Sequence, residues 1–158
     1  MKSILWGCCI ALALSVVSPN SYALMDDEES IAILMQGYGT GIDRKGILDT
    51  VRNLRAHGVC DYSIAWMIRY AGTGADGKAY LRTWDNLMAN DIHPKAAGLL
   101  LYKFGTGADN KSLIKTFKNM EAAGIENHVA IVRMIYYFGT GADGTQVLDT
   151  FFRVRDMP

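Results

Sequence analysis

GTGADGK at residues 72–78 has the G-x-x-x-x-G-K spacing of a loop that cradles phosphate with backbone amides and a lysine. The context does not support that chemistry. Ala79 stands where a Ser or Thr would hold magnesium, and a helical rather than a strand pattern precedes the loop. The equivalent stretches elsewhere carry Arg44, Asn110 and Thr145 at pattern positions, so the match is a repeat turn and not a nucleotide site. His57, His93 and His128 have no second His, Cys or acid at ligand spacing, and they read as surface residues with no metal. Four aspartates, Asp43, Asp76, Asp109 and Asp143, could chelate calcium along one edge, but capping a helix already accounts for them. No Ser-His-Asp or Cys-His set can be assembled from spacing. The expectation is a non-enzymatic protein with no catalytic residues and no cofactor.

The repeated letters explain these near-matches. GTG begins at Gly39, Gly72, Gly105 and Gly139, at periods of 33, 33 and 34. Counting from each aspartate, apolar residues fall at 4, 5, 8 and 11, which is one face of an α-helix. Seven residues after it is always threonine: Thr50, Thr83, Thr116 and Thr150. These threonines are expected to pack between helices with the hydroxyl returned to a backbone carbonyl. The segment before each GTG is helical by the same test. Each unit is thus two helices, A and B. The first Gly ends A, Thr-Gly turns the chain, and Asp is expected to cap B. Asp61 and Asn127 are expected to cap later A helices, and Pro94 to sit at a first helical position. The fold class is all-α: an α-solenoid of four helix-turn-helix repeats, about eight helices, over roughly 28–58, 59–91, 92–124 and 125–158.

These units resemble the tetratricopeptide superfamily, and most nearly its Sel1-like branch. The likeness rests on Tyr38, Tyr70, Tyr102 and Tyr136 or Tyr137 near the turn, the GTG triplets, and the spacings Asp43 to Gly58 and Asp109 to Gly124. The turn is shorter than in Sel1 units, and bulky residues replace their Lys-Ala pair on helix B. The ending Asn119-Met120-Glu121-Ala122-Ala123-Gly124-Ile125 is similar to pentatricopeptide repeats. The first resemblance implies a protein or peptide partner; the second implies single-stranded RNA.

Residues 1–23 have the form of a secretory signal: Lys2, an uncharged apolar run over 4–17, a Ser18-Pro19-Asn20 break, and small residues before Ala23. That run is too short to span a bilayer, for which roughly 20 residues are needed. The expected product is periplasmic or secreted: a single solenoid domain over 24–158, with no transmembrane segment. Removing Lys2 leaves 15 basic against 16 acidic residues, which argues against nucleic acid. Cys8 and Cys9 leave too, so Cys60 has no partner for an internal disulfide and reads as a buried, inert thiol.

Helix A commonly lines the concave side of such a stack. Arg69, Tyr70, Tyr102, Lys103, Arg133, Tyr136 and Tyr137, with Trp66 beside them, are therefore the candidate groove; filling the inter-repeat core is the other use for such rings. A continuous basic stripe there would favour RNA, and a mixed tyrosine-lined groove a peptide. An inhibitor or immunity-type protein blocking an extracytoplasmic enzyme fits the same fold. On the fourth helix B, Phe151, Phe152 and Val154 form an apolar end, the candidate surface for a homodimer or a partner. Sequencing the N-terminus of the exported protein should return Leu24-Met25-Asp26; intact Met1 recovered from the soluble cytoplasm would overturn the export reading.

Overall fold

The computed structural model describes Met25 and residues 27–158; the expected signal segment, Cys8, Cys9 and the cleavage point lie outside the described residues. Four hairpins follow one another. The A helices are α1 (Glu28–Tyr38), α3 (Asp61–Ala71), α5 (Pro94–Phe104) and α7 (His128–Phe138). The B helices are α2 (Lys45–Ala56), α4 (Lys78–Ala89), α6 (Lys111–Ala122) and α8 (Thr145–Arg155). No strand occurs among the described residues, and none of their helices is long and apolar enough to cross a membrane.

Each A helix stops at the first glycine of its GTG. Gly39, Gly72, Gly105 and Gly139 have φ of 55, 60, 57 and 62°. With ψ between −133 and −150°, this backbone is one that a side chain would strain. The GTG that follows is a turn of 3₁₀ helix in every repeat. Two expectations about helix starts hold. Asn127 caps α7 by accepting from the Ala130 amide at 3.1 Å, and Pro94 opens α5.

The turn aspartates do not cap the B helices, which corrects the reading from sequence. The 3₁₀ turn carries the chain one residue further, so the N-cap residues are Arg44, Gly77, Asn110 and Gly144. The aspartates are bonded across the joint instead. Asn53, Asn86 and Asn119 donate to Asp76, Asp109 and Asp143 of the next repeat at 2.7, 2.6 and 2.6 Å. Asp61 is likewise not a cap. It is the first residue of α3, behind Cys60, and pairs with Arg55 at 2.5 Å.

The threonines complete the joint. Thr50, Thr83 and Thr116 are buried, and their hydroxyls donate to the carbonyls of Thr73, Thr106 and Thr140 at 3.4, 3.3 and 3.1 Å. A backbone carbonyl is the acceptor, as expected, but it belongs to the following repeat. No described repeat follows Thr150; it is exposed and donates to Gln146 within its own helix.

Packing follows the same joint. Neighbouring A helices touch along the stack, and each of α2, α4 and α6 packs on the A helix of the next repeat. The apolar stripe of helix B is buried there, with Val51, Trp84 and Phe117 at one level and Leu54, Leu87 and Met120 at the next. The tightest approach is between α3 and α5. A Cβ at Gly98 would lie 2.4–2.5 Å from Ser63 atoms, so only glycine fits. Ser63 also donates to the Pro94 carbonyl at 2.7 Å.

Trp84 is 3% exposed, so Trp84→Ala should lower unfolding free energy by about 3–5 kcal/mol in chemical denaturation. The joint can be tested with Asn86→Ala, Asp109→Ala and the double variant. A coupling of about 0.5–1 kcal/mol is expected for this exposed pair. Strictly additive losses would show that the two side chains act separately.

Candidate functional site

The equal period of the repeats sets residues of one register side by side on successive A helices. Trp66, Leu99 and Arg133 share one register; Arg69, Tyr102 and Tyr136 share the next; Tyr70, Lys103 and Tyr137 share a third. The result is a recess of about 490 Å³ across α3, α5 and α7. Trp66, Tyr102, Lys103, Arg133, Tyr136 and Tyr137 line it. Arg69 and Tyr70 adjoin the recess through the same rings, so all eight candidates belong to one surface. None of them is buried, and Tyr137 is 78% exposed; Trp66 and Tyr102 are half-buried, packed against the core and also lining the recess.

The rings are ordered by contact. Trp66 and Tyr102 lie 4.5 Å apart between centroids, Tyr70 meets Tyr102 edge-on at 6.5 Å, and Tyr136 meets Tyr137 at 5.4 Å. Cations lie on these faces. The Arg69 guanidinium is 5.4 Å from the Trp66 ring and 5.9 Å from Tyr102, and Lys103 Nζ is 4.0 Å from Tyr136. Arg69 also donates to Gln36 at 2.5 Å. Among the described residues, Arg69, Lys103 and Arg133 form no ion pair, so the groove carries uncompensated positive charge. Burial, with Tyr70 beside it, pushes the Tyr80 phenol up, so it stays a neutral group beneath the rim.

One polar atom stands out. Trp66 Nε1 is buried and has no hydrogen-bond partner among the described residues. A buried donor left unpaired costs roughly 1–3 kcal/mol, and such sites call for a cause.

Tyr62, Leu99 and Val132 also line the recess, and sequence reasoning did not pick them out. Tyr62 had a readable signal: it is one helical turn before Trp66, and the rings meet edge-on at 6.2 Å. Leu99 and Val132 sit in apolar runs that read as core.

The histidines are less simple than expected. His57 bonds Asp85 at 2.8 Å on the surface. His128 is mostly covered: it packs on Phe117, accepts from the His93 amide at 3.0 Å, and bonds Glu121 at 2.9 Å. Lys118, and after it His128, hold the Glu121 carboxyl below its usual range. No three of His, Cys, Asp and Glu converge for a metal among the described residues. Cys60 is half-buried, with its sulfur 3.3 Å from Ser63 Oγ.

The C-terminal candidates divide. Phe151 and Val154 line a second recess of about 820 Å³ with Met134, Phe138, Val147 and Thr150. Phe152 lies outside it, half-buried against its own repeat, with Phe151 edge-on and Arg155 over its ring at 4.7 Å. No family model matches this chain, and neither a curated protein nor a solved structure matches it.

Proposed function

We propose that this is an exported, non-enzymatic binding protein whose A-helix groove holds an extended peptide or protein segment. The observation that carries the reading is the recess across α3, α5 and α7, where Trp66, Tyr102, Tyr136 and Tyr137 stand beside Lys103 and Arg133. The rings offer apolar faces to the side chains of such a segment. Arg69, Lys103 and Arg133 around the rings suit an acidic side chain or a terminal carboxylate on that segment. The proposed family relationship, tetratricopeptide-like and nearest to Sel1-like repeats, accords with such a partner. Export rests on residues 1–23 alone.

Rings interleaved with cations are also the ingredients of single-strand nucleic acid binding. Three cations are few for that purpose, and the whole chain has no net charge to draw phosphates. An inhibitor that blocks an enzyme would use the same groove on a folded partner.

Selection of displayed extended peptides against the protein, followed by calorimetry, tests this. Acidic peptides should emerge, and Tyr137→Ala should weaken them at least about tenfold while leaving the melting temperature within a few degrees. Peptides that bind Tyr137→Ala and Tyr102→Ala as well as the parent would place the site elsewhere. A single-stranded RNA that displaces them at lower concentration would replace the peptide reading.

A further inference from the structure

Every joint in the stack has a forward face and a backward face, and the chain ends with one of each uncovered by any described residue. On the backward side, Ile68, Leu101 and Ile135 are buried by the preceding repeat, while Met35 at the same position of repeat one is 48% exposed. Ala75, Ala108 and Ala142 are fully buried, while Ile42 in the first turn is only half-buried. On the forward side, Leu54, Leu87 and Met120 are buried, while Val154 at that position of repeat four is 61% exposed. The 820 Å³ recess is therefore the seat that a following repeat would fill.

The polar register of the joint continues across these ends. Repeats one to three offer Asn53, Asn86 and Asn119 to the next turn aspartate; repeat four offers Arg153 at that position. Asp43, with no described repeat before it, is the turn aspartate that has no such donor among the described residues. Neither Arg153 nor Asp43 has a side-chain hydrogen bond or ion pair among the described residues, and both are exposed. Among the described residues, one end therefore presents an unpaired cation and the other an unpaired anion, at the two positions that meet in each joint of the stack.

We propose that the forward face of repeat four receives the first turn and helix α1 of a second copy, continuing the solenoid head to tail. Arg153 then faces Asp43 of that copy, and the Thr150 hydroxyl turns from Gln146 to the Thr40 carbonyl, as the other three threonines already do. Val154 and Phe151 cover Met35 and Ile42. The contact is heterologous, so it does not close on itself as a two-fold dimer would, and it adds further copies. A tail-to-tail pairing would instead bring Arg153 against Arg153, and like charges oppose it.

A charge swap tests the proposal in the chain from Leu24 onward, which contains all eight described helices. That chain should associate with rising concentration in sedimentation, beyond a dimer. Asp43→Arg alone and Arg153→Glu alone should each weaken association about tenfold, while their equimolar mixture restores it, because each head then meets an opposite tail. Both positions are exposed, and unchanged circular dichroism and melting establish that the variants fold. A parent that stays monomeric at millimolar concentration would overturn the proposal. So would an Asp43→Arg variant that associates as the parent does, which points to tail-to-tail pairing, or a mixture no stronger than its components.

Discussion

No helix B in this protein can bury its apolar stripe within its own hairpin. The stripe at Val51 and Leu54 is covered by α3, that at Trp84 and Leu87 by α5, and that at Phe117 and Met120 by α7. The joint between repeats is therefore the unit of stability, and the hairpin alone is not. The polar contacts obey the same constraint. A threonine hydroxyl and an asparagine amide on one helix B seek a carbonyl and a carboxylate on the next turn, with a separation of 23 or 24 residues. Burial supplies the driving force, and these directional bonds set which turn meets which helix.

This constraint explains what could and could not be read along the chain. The helices were legible because their apolar spacing and glycine stops are local features. The groove was legible in outline, because a fixed period stacks equal registers and the rings of Trp66, Tyr102 and Tyr136 fall on helix A. The aspartates were misread because both roles, cap and cross-joint acceptor, fit the same letter; the choice depends on one extra residue of 3₁₀ turn and a partner one repeat away. His93 and His128 lie in different repeats at unequal spacing, so nothing in sequence announced that one amide meets the other ring. The missing acceptor of Trp66 Nε1 was equally unreadable, since burial of a single atom depends on how its neighbours pack in three dimensions.

The groove is also uneven along its length. Repeat one contributes Ile33, Gln36 and Gly37 at the registers where later repeats carry Trp66, Arg69 and Tyr70. Gln36 reaches across to hold Arg69, so the first repeat positions a cation and offers no ring. The aromatic surface thus begins at α3 and runs to Tyr137, while the close α3–α5 contact at Gly98 keeps its first two helices in fixed relation. A stiff half next to a more open half is a mechanical asymmetry, with the best-defined geometry where Trp66 and Tyr102 lie.

Among the described residues, the longest-range side-chain hydrogen bond joins positions 35 apart, which is about one repeat. Every element therefore assembles with near neighbours in sequence, and loop-closure entropy is small at each step. Such a chain can nucleate at any joint and grow outward, and the Ser63–Gly98 contact makes α3 with α5 the natural seed. The same topology concentrates opening in the outer described helices: α1 packs on α3 alone among the helices and α8 packs closely on none, so their amides should exchange with solvent before those of α3 and α5. Anything seated against an end repeat would slow that exchange at the far side of the same hairpin, a form of long-range protection without any change of shape.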